Sequence, residues 1–304
     1  MEKTKIEWCD STWNPVTGCY HQCPYCYARR IAERFKGCDT GSTYGAYHQA
    51  TWHRINPDSP LEQAIFEVDA KCPPINITFD AAKQVWKHSI APYPWGFKPT
   101  LRRDRLNDFV SKKGRTIFVC SMADLFGEWV PDEWIEEVLA ACKAAPQHRY
   151  LFLTKNPNRY ADLHFKGKLP TGDNMWYGVT PTETLSHSDY FYAGAYHTFA
   201  SVEPILKECS EELEHFCDTF ASWVIIGAET GNRKDKVIPQ KEWVINIIKA
   251  CIESNTCLFM KDSLIPIVGE ENMFRMLPWD TATWEISRQL KWLENWYKNN
   301  EVMK

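Results

Sequence analysis

The chain lacks any apolar run approaching the roughly 20 residues that span a bilayer. Its first residues, MEKTKIEWCDSTWNP, contain no apolar leader core. These two absences exclude an ordinary membrane helix and point to a cytoplasmic protein with no membrane partner. Basic charge is also scarce. There are 35 Lys and Arg against 39 Asp and Glu, for a formal net charge of −4. A protein that grips nucleic acid by its phosphates is usually basic, so a nucleic-acid partner would need a local patch. The densest is Arg102, Arg103 and Arg105, read as a solvated stretch or a phosphate contact. Sequence repeats and low-complexity tracts are missing as well.

Cysteine and tryptophan are plentiful, at 12 and 14 of 304 residues. In a reducing compartment, cysteines grouped closely in sequence bind metal or do redox chemistry more readily than they form a disulfide framework. Tryptophan at this abundance is read as core.

The length allows one large α/β domain or two small ones. Short, nearly continuously apolar runs fall at Thr116–Cys120, Tyr150–Thr154, Met175–Val179, His197–Val202, Trp223–Gly227 and Cys257–Lys261, with a weaker one at Phe97–Leu101. Such runs suit parallel strands covered on both faces. Between them lie amphipathic stretches. YARRIAERF puts Ala28, Ile31, Ala32 and Phe35 on one face, with Gly37 as its stop. PDEWIEEVLAACKAAP buries Trp134, Ile135, Val138, Leu139 and Cys142. PQKEWVINIIKACIE buries Val244, Ile247, Ile248 and Cys251. A last helix near Asp280–Lys298 aligns Ile286, Leu290, Leu293 and Tyr297. The pattern predicts an α/β fold over residues 1–304, a partial or full parallel (β/α) barrel. Residues 38–95, with NPDSP, KCPP and APYPWG, interrupt it as an irregular insertion. Residues 264–304 form a helical C-terminal cap.

The chemistry concentrates in Gly18-Cys19-Tyr-His-Gln-Cys23-Pro-Tyr-Cys26, a C-x3-C-x2-C spacing. Three thiolates in eight residues can converge on one iron–sulfur cluster if the chain loops around it. A zinc site completed by His21, His48 or His53 is the alternative. Zinc sites usually pair two short hooks, and the sequence has no second C-x2-C. A zinc-stabilised binding module and a non-catalytic iron–sulfur protein therefore stand beside an enzyme. Cys120, Cys142 and Cys251 read as core. Cys209 with Cys217, and Cys251 with Cys257, lack ligand-like spacing.

C-x3-C-x2-C with Tyr25 before its last cysteine resembles the radical S-adenosylmethionine (SAM) superfamily. The segments IEWCDSTWNPVTGC, CYARRIAERF, FKPTLRRDRL, TIFVCSMADLF, PQHRYLFLTKNP, MWYGVT, FASVEPIL, WVIIGAETG and FMKDS are similar to a narrower group, the phage-associated radical-SAM-like proteins of unassigned function. The resemblance runs from about Ile6 to Ser263. It implies a radical-SAM-type barrel, a [4Fe–4S] cluster on Cys19, Cys23 and Cys26, bound SAM, and an electron donor such as a reductase or a flavodoxin-like protein. It supplies no substrate. Nucleotide or nucleic acid is the candidate that the phage association and the arginine cluster favour. This chain departs from many members in its short gap between the first two cysteines and its longer insertion.

Polar residues at strand ends complete the expected site, since barrel enzymes work at the C-terminal ends of their strands. Asp124 and Glu203 suit ribose hydroxyls, and Lys155 or Lys261 suits the SAM carboxylate. Gly227 to Gly231 lets backbone approach the adenine or ribose. Tyr25 packs on adenine. Ser121, Ser201 and Glu229 join the cofactor-binding set. Thr182 and Glu183 close the strand end after MWYGV. A solvated role as loop caps is the alternative for each.

Overall fold

The computed structural model describes residues 2–36, 52–69, 75–80, 82–181, 194–219, 221–280 and 283–301. Gly37, His48, Thr182 and Glu183 lie outside these residues, as does the side chain of His53. The chain divides into two compact units, Met1–Phe152 with Lys168–Pro170, and Leu153–Gly167 with Thr171–Lys304.

The first unit contains β1 (Glu2–Lys3), β2 (Ser11–Trp13), β3 (Val16–Thr17), α1 (Tyr27–Arg34), β4 (Trp52–Arg54), β5 (Phe66–Val68), β6 (Ile75–Asp80), β7 (Val85–Ile90), β8 (Thr100–Arg102), β9 (Thr116–Val119), α2 (Asp132–Ala144) and most of β10 (Arg149–Thr154). Strands β2, β9 and β10 run parallel, with Thr12 opposite Phe118 and Tyr150 opposite Ile117. β1 adds an antiparallel edge. A second sheet is ordered β3-β8-β5-β4, and β6 and β7 form an antiparallel pair.

The second unit contains the end of β10, then α3 (Asn158–Phe165), β11 (Met175–Val179), β12 (His197–Val202), α4 (Ser210–Thr219), β13 (Trp223–Ile226), α5 (Lys241–Glu253), β14 (Cys257–Met260), α6 (Ile265–Val268) and α7 (Thr283–Glu301). β11 to β14 are parallel neighbours in chain order. The fold class is therefore α/β on parallel strands, with helices at the C-terminal end. No helix among the described residues is long and apolar enough to cross a membrane.

The apolar runs become these strands because each is covered on both faces. Every residue of β9, β11 and β13 is buried. The faces expected for α2 and α5 are buried as well. Pro131 stands immediately before α2, whose first turn is acidic, as the helix dipole favours.

Four expectations need correction. The described part of 38–95 is not irregular: it carries β4 to β7, and β6, INITFD, alternates apolar and polar residues as a strand does. In α1 only Ala28 and Ala32 are buried, while Ile31 and Phe35 are 38% and 51% exposed. In α7, Ile286, Leu290 and Tyr297 are exposed, and the inward side carries Gln289, Trp292 and Trp296. Trp292 donates to Asn272 Oδ1 at 2.6 Å, and Lys249 sits 4.1 Å from the Trp296 ring centre. These aromatic anchors set the rotation against the aliphatic stripe. Finally, Arg102, Arg103 and Arg105 are neither a solvated stretch nor a phosphate patch. Arg102 is fully buried, paired with Asp104 at 2.8 Å and donating to the Ala91 and Pro92 carbonyls. Arg103 bridges Glu67 and Glu137. Arg105 donates to Asn14 and Pro92 carbonyls, and burial lowers its pKa to about 10.

Candidate functional site

The cysteine segment lies between β3 and α1, within the first unit. Its entry depends on glycine. Gly18 has φ +87°, and a side-chain carbon there would lie 2.2 Å from the Lys98 carbonyl oxygen. Only glycine accepts both conditions. The Gly18 N–H donates to Met122 O at 2.8 Å, and the Cys19 N–H donates to Phe97 O at 3.1 Å. The first cysteine is thus fixed from two directions before the loop begins.

The loop then turns through Gln22 at φ +56°. The Cys26 N–H donates to Cys23 O at 3.2 Å, tightening the exit turn. The Cys26 sulfur accepts the Arg29 N–H at 3.3 Å and caps α1, the place usually taken by Ser or Asp. The Cys19 sulfur accepts the His21 N–H at 3.5 Å. All three thiols are partly buried and unbridged. Burial pushes the Cys19 thiol up to about 12; the His21 N–H opposes this, and the nearby Asp124, Cys23 and Cys26 reinforce it. Tyr25 is half-buried in the same loop.

The end of β9 forms the opposing wall. Cys120 takes φ +58°, uncommon for a non-glycine residue, and its N–H donates to Trp13 O at 2.7 Å. Asn14 Oδ1 receives the Met122 N–H at 2.9 Å and the Ser121 hydroxyl at 3.2 Å. Ser121 O accepts the Tyr27 hydroxyl at 2.8 Å. Asp124 is buried; Oδ1 accepts the Phe126 N–H at 3.0 Å, and Oδ2 lies 2.8 Å from His21 Nε2. His21 also packs edge-on against Trp129, with centroids 4.8 Å apart. Among the expected residues, then, Asp124 meets the cysteine loop itself, through His21, and Ser121 meets the first residue of α1 beside it. Asn14 and the His21 pairing were missed. An Asn before a proline is a turn signal that could have pointed to Asn14.

A second group forms within the second unit, where β12, β13 and β14 end. Ser201 Oγ donates to Glu203 Oε2 at 2.8 Å, and Lys261 Nζ lies 2.9 Å from Glu203 Oε1. Gly227 leaves room for them, since a side-chain carbon there would come within 3.1 Å of Lys261 Cδ. Ser263 Oγ accepts the Ala228 N–H at 3.0 Å. Glu229 stands apart from this chain of contacts. Arg233 clamps both its oxygens at 2.7 Å and holds its carboxyl below the usual range. Lys155 is half-buried in the turn after β10.

Among the described residues, no three His, Cys, Asp or Glu side chains are gathered closely enough to hold a single metal ion. What fold and site define is a parallel-stranded α/β protein with a backbone-anchored loop of three thiols. The chain belongs to the DUF5131 family, whose members are described as proteins of unknown function, with the family model matching residues 3–265. No curated protein and no solved structure matches it.

Proposed function

We propose that this protein is a radical SAM enzyme whose [4Fe–4S] cluster is held by Cys19, Cys23 and Cys26. The observation that carries the reading is the loop: three partly buried thiols within eight residues, two of them accepting backbone N–H groups. The donor set fits the group. Thiolates are the ligands of such clusters, and hydrogen bonds to their sulfurs tune them. The thiolates of a cubane bind different irons, so they need not meet at one point as the ligands of a lone zinc ion do. When bound, such a cluster supplies one electron to the sulfonium of SAM, whose C5′–S bond then breaks to methionine and a 5′-deoxyadenosyl radical.

The rest falls to the chain. The backbone bonds at Gly18 and Cys19 present the first sulfur, and the α1 cap orients the third. Metal loading must displace the Cys19 proton, because burial keeps this thiol neutral at physiological pH. In the second unit, Lys261 and Glu203 supply an ammonium and a carboxylate at the ends of β14 and β12, the classes of group that pair with the charges of an amino-acid ligand such as SAM. A radical-SAM-type barrel and an electron donor, a reductase or flavodoxin-like protein, belong to the same reading. Inward-facing arginines remove one of the two supports for a nucleic-acid substrate.

The test is anaerobic reconstitution with iron and sulfide, then dithionite and SAM. The wild type is expected to carry a four-iron cluster and release 5′-deoxyadenosine. Cys23→Ala is expected to bind almost no iron, because one iron loses its thiolate. One zinc and no iron in the wild type, or an intact cluster with no cleavage of SAM, would overturn the proposal.

A further inference from the structure

The three-residue gap between Cys19 and Cys23 has His21 at its centre, and His21 is tied at both ends. Its N–H meets the Cys19 sulfur at 3.5 Å, and its ring nitrogen meets Asp124 at 2.8 Å. Asp124 is itself immobilised: its side chain is 7% exposed, and its other oxygen takes the Phe126 N–H. Trp129 closes over the imidazole edge and also meets Tyr20, with centroids 5.5 Å apart. Tyr20 in turn donates to Ala64 O at 2.7 Å. The next residue, Gln22, holds a positive φ, a conformation that persists where surrounding contacts over-determine it.

We infer that His21 and Asp124 are a positioning pair: by bonding to each other they hold the Cys19–Cys23 loop in its ligand-ready form. This rests on the reading of the three cysteines as cluster ligands. Neither residue touches the reacting atoms. Asp124 acts through His21, and His21 acts through the backbone on either side of it. A residue that orients ligands in this way contributes to metal affinity without supplying a donor atom. Asp124 is thereby reassigned from a ribose contact to a support of the loop.

The test uses the full chain as wild type, His21→Ala, Asp124→Ala and Asp124→Asn. Asn still pairs with imidazole through the other ring tautomer. Two measurements are made. The first is the rate at which iodoacetamide alkylates Cys19 and Cys23 in metal-free protein, read by mass spectrometry. The second is the rate at which a chelator strips iron from reconstituted protein, together with the electron paramagnetic resonance signal of the reduced cluster. Both alanine variants are expected to alkylate faster and to hold iron about 10- to 100-fold less tightly. Their resonance signal should be altered, and Asp124→Asn should be restored towards wild type in every readout. Alkylation of both alanine variants at the wild-type rate would overturn the inference, whatever their stability. A wild type that takes up no iron would sink the cluster reading alone, and the alkylation rates would still decide the pair.

Discussion

The cysteine loop and the strand-end group of the second unit are built on opposite plans. The entry to the loop is held by backbone, Gly18 to Met122 and Cys19 to Phe97, and the Tyr27 hydroxyl bonds the Ser121 carbonyl just past its exit. The loop's three thiols are partly buried. Beneath it, buried Arg102 takes the Pro15 carbonyl with its own N–H, and Arg105 takes the carbonyl of Asn14. The strand-end group instead satisfies its charges with each other, Lys261 on Glu203 and Arg233 on Glu229. A ligand there must compete with an existing ion pair, whereas the Cys19 and Cys26 sulfurs of the loop accept only backbone N–H groups. Rigid support with open donors suits a resident group, and self-paired charges suit one that comes and goes.

The contrast should be sharpest at the buried Arg102 side chain, which holds Asp104 and the Ala91 and Pro92 carbonyls within the same unit as the loop. Arg102→Ala leaves the Asp104 carboxylate and two carbonyls without their guanidinium, in a site largely shielded from water. Stripping one partner from a buried pair costs about 3–5 kcal/mol. Urea denaturation is the measurement, and a loss below about 1 kcal/mol would mean that the Arg102 side chain is no part of the first unit's scaffold.

Gly18→Ala comes next. The new side-chain carbon meets the Lys98 carbonyl and forces a positive φ on alanine. Strain of this kind costs about 1–3 kcal/mol, and the entry to the loop must shift to relieve it. Iron uptake is expected to fall along with the thermal midpoint. Unchanged uptake would show that the loop tolerates displacement and that its preformed geometry is not needed.

Lys261→Ala probes the other plan. Glu203 and Lys261 keep 18% and 26% of their side-chain surface in water, so solvent takes over much of what the pair supplies. The stability loss should stay below about 1 kcal/mol, while SAM binding by calorimetry should weaken. A loss as large as that of Arg102→Ala would make the pair part of the scaffold and erase the contrast.

These differences trace what the sequence could express. Strands and the faces of α2 and α5 were legible because burial on both sides demands apolar residues at every position, or at helical spacing. That the three cysteines share one loop between β3 and α1 was legible because they lie within eight residues of the chain. Arg102, Arg103 and Arg105 misled because an exposed cluster and a buried one share a spelling; the carboxylates and carbonyls that quench them come from residues as distant as Glu137 and Ala91. The pairing of His21 with Asp124 spans 103 positions, and no local pattern encodes it. Glu229 looked like a ligand acceptor until Arg233, one helical turn on in number but in a loop, was seen to hold it.

The smallest effect is expected in α7, which lies beyond the family match, and it tests how a helix chooses its face. Ile286, Leu290 and Tyr297 form the more regular stripe, yet they are 38%, 52% and 39% exposed. The inward side instead carries two tryptophans, one hydrogen-bonded and one under an ammonium. Burying an indole removes more apolar area from water than burying an aliphatic side chain does, and its N–H gains a partner as well. Rotation towards the tryptophans therefore wins over periodicity. Leu290→Lys should then change stability by no more than about 0.5 kcal/mol. Trp292→Ala, which empties a packed position and takes the indole donor from Asn272 Oδ1, should cost several times that by thermal denaturation. Equal losses for the two variants would mean that α7 buries the aliphatic stripe after all, and that its periodicity alone had identified the packed face.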